Sequence, residues 1–250
     1  MTTRYGAPRV LLGLALAASP AVAQDEAAFV QAFSGEWFVF DPDASGPSQS
    51  CSIDLKREAL GKALAALSTG CTDDLGEVHN WGIADSRIVL NDEAGEPLAV
   101  LGGNQQRITG EIAAQGDGVV LERRSGDARS AELRTAIASY RCLFRGYGDA
   151  CASAKELAVP AFDGAEGTGR IRTLVSLNAR SQPRGDAPVL GVIAPNEEIV
   201  VNDCLVASDG LWCRAAFGGQ NAWLARTALR GDTWPVATYV TMPSEAPDAS

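Results

Sequence analysis

Between Glu36 and Arg124 the apolar residues come in short runs broken by turn formers. Trp37-Phe38-Val39-Phe40 ends at Asp41-Pro42-Asp43. Cys51, Ile53 and Leu55 alternate with Ser52, Asp54 and Lys56, the period of a strand with one buried face. Further runs follow at Leu64 to Leu67, Val78 to Ile83, Ile88 to Leu90, Leu98 to Leu101, Ile108 to Ile112 and Val119 to Leu121. Asp85-Ser86, Asn91 to Gly95 and Gly116-Asp117-Gly118 separate them as turns. About eight short strands at this spacing predict an antiparallel barrel or sandwich. Closure would remove the exposed edges that such strands otherwise leave.

Ahead of these strands, Phe29, Val30 and Phe33 fall at helical spacing. Asp25 is a candidate cap and Gly35 a stop, so a short amphipathic helix from Gln24 to Ser34 is expected against one barrel mouth. From Ser125 to Pro160 the period lengthens: Leu133, Ile137, Tyr140 and Phe144 recur at three and four residues, and Ala152 to Leu157 predicts a second helical piece. Asp163 to Gly169 is small, acidic and glycine-rich, and reads as a linker. Short strands return at Val175 to Leu177, Val189 to Ile193, Ile199 to Val201, Leu211 to Ala215 and Ala222 to Leu224. After Asp232 the Pro, Ser and Ala content predicts a flexible tail.

The 250 residues are 46% apolar, enough for two small cores. A formal net charge of −10 argues against nucleic acid or an anionic membrane surface as partner. The first residues change the picture. Arg4 and Arg9 lead into an apolar run from Val10 to Ala18, Pro20 breaks it, and Ala21-Val22-Ala23 has the form of a cleavage site. A signal peptide at 1–23 is expected, with a mature start at Gln24 and a periplasmic or secreted location. The run is too short for a transmembrane segment, which needs about 20 apolar residues.

Export alters the reading of the six cysteines. They fall into sequence-local pairs, Cys51 with Cys71, Cys142 with Cys151 and Cys204 with Cys213, although six cysteines permit fifteen connectivities. One staple per structural unit is the expectation. A metal site is disfavoured, since no C-x-x-C occurs and His79 is the only histidine. No Gly-x-Ser-x-Gly, Ser-x-x-Lys or His-Glu-x-x-His motif is present, and Asp73-Asp74 reads as a solvated turn. No catalytic residue, cofactor or resident metal is therefore expected, and the chain reads as a binder and not an enzyme.

Ser34-Gly35-Glu36-Trp37, Cys51-Ser52-Ile53-Asp54-Leu55, Cys71, Trp81, Ile88-Val89-Leu90 and the Asp92 to Gly95 turn occur in one order. In that order they resemble the Inh, or alkaline metalloprotease inhibitor, family. The resemblance covers about residues 29–124. It implies an eight-stranded, lipocalin-like antiparallel barrel that inhibits a secreted zinc metalloprotease of the serralysin type. It also implies an inhibitory trunk ahead of the barrel, here Gln24, Asp25, Glu26, Ala27 and Ala28, whose free amine reaches the target's catalytic zinc. The trunk departs from the family's small or apolar pattern at Asp25 and Glu26, and an amino-terminal Gln24 can cyclise. A frayed terminus is the alternative reading of the same residues.

Leu177-Asn178-Ala179-Arg180-Ser181-Gln182-Pro183, Pro195-Asn196-Glu197, Leu211-Trp212-Cys213-Arg214 and Ala222-Trp223-Leu224 resemble the bacterial SH3 (SH3b) domain. Asn196 and Ala222 stand where that family often has Gly. The resemblance implies an SH3-like barrel with a groove that binds peptidoglycan or an envelope protein, for which Arg180, Trp212 and Trp223 are the candidates. Core packing is the alternative for both tryptophans. The expected layout is mainly β: signal peptide 1–23, inhibitor-like barrel 24–125, helical disulfide-tied segment and linker 126–166, SH3-like domain 167–232 and tail 233–250. The expected function is a protease inhibitor with an envelope-binding module, the alternative a non-inhibitory envelope adaptor.

Overall fold

The computed structural model describes residues 21–46, 50–127, 129–162 and 167–243. Residues 1–20, most of the expected signal peptide, lie outside these. Eight strands follow the amino-terminal helix α1 (Ala21–Phe33): β1 (Gly35–Phe38), β2 (Ser52–Leu60), β3 (Ala63–Thr69), β4 (Asn80–Ala84), β5 (Arg87–Asn91), β6 (Pro97–Gly103), β7 (Arg107–Ile112) and β8 (Gly118–Glu122). Each pairs antiparallel with the next, and β8 returns to β1 through Glu122 and Phe38, closing the barrel. A single helical turn, α2 (Asp73–Gly76), lies between β3 and β4.

Side-chain alternation fills the interior: Ile53, Leu55, Leu90, Leu101, Ile108 and Leu121 are completely buried around Trp37 and Trp81. Asp85 and Ser86, at φ +50° and +60°, make the two-residue turn between β4 and β5. Two positive φ values give a hairpin turn whose twist suits its strands.

The second half is also β, with β9 (Phe144–Arg145), β10 (Gly169–Thr173), β11 (Leu177–Arg180), β12 (Val189–Ile193), β13 (Glu198–Ala207), β14 (Gly210–Phe217), β15 (Gln220–Ala225), β16 (Thr227–Arg230), β17 (Trp234–Ala237) and β18 (Tyr239–Thr241). Seven form one sheet in the order β12-β11-β15-β14-β13-β10-β18, and β16-β17-β9 form a second. Asn196 has φ +67°, the left-handed conformation that Asn tolerates in place of Gly. The three sequence-local cysteine pairs are disulfides: Cys51–Cys71, Cys142–Cys151 and Cys204–Cys213.

Two expectations need correction. The flexible tail expected from 233 is ordered to 243: β18 pairs with β10, and Tyr239 is completely buried in the core of the sheet. Burial pushes the Tyr239 hydroxyl above its ordinary pKa of 10. The apolar residues Val236, Tyr239 and Val240 outweigh the Pro and Ala content around them.

The second helical piece is the other. Helix α3 (Ser130–Tyr140) ends where Arg141 turns left-handed, so Phe144 lies in β9, parallel to β17. Ala152 to Leu157 makes a single turn braced by Glu156, which accepts from the Ser153 amide at 2.9 Å and the Arg145 guanidinium at 2.7 Å. These contacts hold the Glu156 carboxyl down at about 2. Asp163 to Glu166 of the expected linker lie outside the described residues, and Gly169 already belongs to β10.

The halves are joined through the outer face of β7 and β8. Val120 points away from the barrel interior and packs with Leu205, Ala207, Trp212 and Trp223. Beside it Arg107 and Glu122, both 0% exposed, form an ion pair at 2.8 Å. Arg107 also donates to Asp209 at 2.7 Å and to the Pro183 carbonyl at 2.9 Å. Burial works against its charge, but Asp209 first, then Glu122 and Asp127, more than offset this and raise its pKa. Glu122 accepts the Ser208 amide at 2.7 Å, Asp41 the Val206 amide at 2.8 Å, and Asp203 the Gly118 amide at 2.7 Å. Each carboxylate thus satisfies a backbone donor of the opposite half, a charge-assisted contact stronger than a neutral one.

Candidate functional site

Closure of the barrel sets the geometry of its amino-terminal end. Because β8 runs beside β1, the residue that follows β8 meets the end of α1. That residue is Arg123. Its guanidinium donates to the carbonyls of Ser34 at 2.9 Å, Ala32 at 3.3 Å and Phe33 at 3.4 Å, and to Glu36 at 3.0 Å. A helix leaves its last carbonyls without internal partners and carries partial negative charge there, so a cation at this point closes the helix end. The same guanidinium lies 3.8 Å over the Trp37 ring. Burial lowers its pKa.

Apolar contacts reinforce the seat. Phe29 and Phe33 stand with ring centroids 4.4 Å apart, Phe33 stacks on Trp37, and the Trp37 indole donates to the Phe33 carbonyl at 2.8 Å. Phe29, Val30 and Phe33 rest on the barrel core. Gly35, at φ +99°, ends the helix and leads directly into β1.

The expected trunk residues Gln24 to Ala28 lie in the middle of helix α1 and are not an extension ahead of it. Glu26, Ala27 and Ala28 are exposed. The expected cleavage point after Ala23 lies within the same helix. The chain therefore has a firmly held helix end at 29–34, with exposed residues at 26–28 just before it.

Other candidates are dispersed. Trp223 is covered by the barrel: a Cβ on Gly118 would come within 2.4 Å of its ring. Trp212 is 2% exposed, with its indole donating to Asp209 at 2.9 Å. The two tryptophans do not form one open groove; the barrel's β8 covers the contact they share. Arg180 pairs in register with Trp223 on β11 and β15 but turns its guanidinium to the Ala187 carbonyl at 2.8 Å.

His79 is exposed, and among the described residues no His, Cys, Asp and Glu side chains gather to hold a metal ion. Asp74 is not a simple solvated residue, since its Oδ2 is buried without a described partner.

Residues 29–123 match the family model of the protease inhibitor Inh. The matched stretch runs from the helix seat through the whole barrel to the arginine that clamps it. The family is one of protease inhibitors and not of enzymes. The match leaves out Gln24 to Ala28 and the second half. No curated protein matches the chain. Among the described residues no helix is long and apolar enough to cross a membrane.

Arg123 is the functional candidate that sequence reading missed. Its trace was the pair Arg123-Arg124 directly after the β8 apolar run, where closure would bring a cation to the helix end.

Proposed function

We propose that the protein is exported and inhibits a secreted zinc metalloprotease of the serralysin type, using Gln24 to Ala28 as the inserting trunk. The Inh family match over the barrel and its helix seat carries the reading. The Arg123 clamp supports it physically. A helix freed at Gln24 has four amides without internal partners, so its first turn frays readily, while Arg123 and Trp37 keep the last turn in place. The trunk can then extend into a cleft at a depth set by the barrel, and the Gln24 amine can replace the water on the target's zinc. Asp25 and Glu26 favour a target whose cleft is basic near the metal. Three disulfides fit an oxidising compartment, periplasmic or extracellular.

We further propose that the second half is an SH3-like module. The β13–β14–β15 meander, the β11–β12 hairpin ahead of it, and β10 joined to both β13 and β18 fit that reading. The adaptor alternative, with peptidoglycan or an envelope protein as partner, rests on this half alone, and the burial of Trp223 against the barrel weakens it.

The test is inhibition of a serralysin-type protease by protein starting at Gln24. Deleting Gln24 to Ala28 should raise the inhibition constant at least about 100-fold, the scale of a hot-spot segment. Arg123→Gln should raise it about 10-fold with the barrel still folded. Equal potency of the deletion overturns the trunk mechanism, and no inhibition by the intact mature chain overturns the inhibitor reading.

A further inference from the structure

A cavity of about 430 Å³ lies in the second half, away from the helix seat. It is framed by β11, α3 and the β16–β17 hairpin, with Trp212, Leu133, Val175 and Leu177 among its walls. That volume falls in the range of small-ligand sites, which combine apolar walls with a few polar groups.

Its charges decide what it would hold. Asp127 and Asp209 both pair with Arg107, at 3.6 and 2.7 Å. Asp186 binds Arg184 through both oxygens at 2.9 Å and accepts from Asn104 at 2.9 Å. Arg129 pairs with Asp232 at 2.6 Å and Glu132 at 3.6 Å.

Two lining cations have no ion pair among the described residues. Arg180 donates from Nη1 to the Ala187 carbonyl, and its Nε and Nη2 have no described acceptor. Arg230 donates to the Tyr147 carbonyl at 3.0 Å and lies 5.5 Å from the Trp234 ring centroid. A half-buried guanidinium with unused donors is an anion receptor, because it lacks the partner that would offset its lost hydration. Burial indeed lowers the Arg180 pKa, with Asp186 working the other way.

We propose that this cavity binds an aliphatic carboxylate, with Arg180 taking the carboxylate, Arg230 reinforcing the positive field, and Trp212 and Leu177 receiving the apolar chain. Two sources present this chemistry: the free C-terminus of a short peptide with an aliphatic last residue, and a medium-chain fatty acid. The inference does not depend on protease inhibition, and it replaces the groove expected between Trp212 and Trp223 by one on the other side of Trp212.

The experiment titrates the full mature chain with N-acetyl-alanyl-leucine, its C-terminal amide, and octanoate. Binding is read from calorimetry and from the indole ¹H–¹⁵N resonance of Trp212, assigned with Trp212→Phe. At least one of the two acids should bind at millimolar concentration or better and shift that resonance. The amide should bind at least 10-fold more weakly than the peptide acid if the peptide is the ligand, and octanoate alone should bind if the source is a fatty acid.

Arg180→Gln should weaken binding at least 10-fold and Arg230→Gln severalfold. Arg180→Lys should retain most of it, which guards against a loop displaced by loss of the Ala187 contact. Equal binding of acid and amide, no binding of either acid, or undiminished binding by both Gln variants would overturn the proposal.

Discussion

The barrel and the second half use the same short antiparallel strands, yet they complete their hydrogen bonding differently. β8 returns to β1, so the barrel has no edge and one interior core. The second-half sheet ends at β12 and β18, and two clusters share its apolar residues. One of these includes Val120 of the barrel. The barrel is thus complete without its neighbour, whereas the second half takes one wall of its core from the barrel. A barrel that closes on itself can offer its outer face to another module while the helix end held by Arg123 stays clear of that contact.

Removing Arg107 should damage this arrangement most. Arg107→Met leaves Glu122 buried, and Asp209 and Asp127 largely so, without their shared counter-charge. Deleting one partner of a buried ion pair costs about 3–5 kcal/mol. Urea unfolding should show a loss of that size, and hydrogen exchange should show β13 to β15 losing protection before β2 to β6. A loss below about 1 kcal/mol would place the network with surface ion pairs and would mean that the halves stand independently.

Gly118→Val tests the apolar part of the same face. A Cβ at this position would lie 2.4 and 2.6 Å from Trp223 ring atoms and 3.0 Å from Asp203. Overpacking of this kind costs about 1–3 kcal/mol. The barrel should absorb little of it, because the added atoms lie outside its core. Calorimetry should therefore resolve an earlier transition for the second half, with the barrel transition unchanged. A single transition lowered as a whole would mean that the barrel also depends on the contact.

Within each half the fold was legible where the signal was local. Alternation and turn residues marked all eight barrel strands, Gly35 marked the end of α1, and short spacings marked the disulfides. The contact between halves was not legible, because strand periodicity says which face a residue takes and not what covers the other face. Arg107 and Glu122 sit at strand ends, where charges usually meet solvent; their partners Asp209 and Ser208 come 102 and 86 positions later. Val119-Val120-Leu121, three consecutive apolar residues that are all buried, hinted that both faces are covered. Similar runs at Ile88 to Leu90 and Leu98 to Leu101 kept that hint from singling out this face.

The candidate site divided in the same way. Phe29, Val30 and Phe33 were visible as a helix face, whereas Arg123 meets the helix end only once β8 closes onto β1.

The smallest effect expected concerns the carboxylates that bridge the halves. Asp41 and Asp203 both have raised pKa values, chiefly from desolvation, with Asp43 adding to the first and Asp117 and Asp41 to the second. Amide bonds to Val206 and Gly118 pull the other way without prevailing. A carboxyl whose folded pKa exceeds its unfolded value of 3.8 binds protons more tightly in the native state. Its contribution is therefore fully present below that value and is lost as pH rises through the folded pKa. At neutral pH Asp41 is held charged against its burial.

Asp41→Asn keeps an acceptor for the Val206 amide and a good cap for the turn at Pro42–Ala44. It should stabilise the protein at pH 7 by less than the ~1 kcal/mol of a typical hydrogen bond, and the gain should vanish near pH 4. Urea midpoints at the two pH values measure this. A net loss at pH 7 would mean that the charge on the Val206 contact outweighs desolvation, making the polar bridge, and not the apolar contact at Trp223, the stronger tie between the halves.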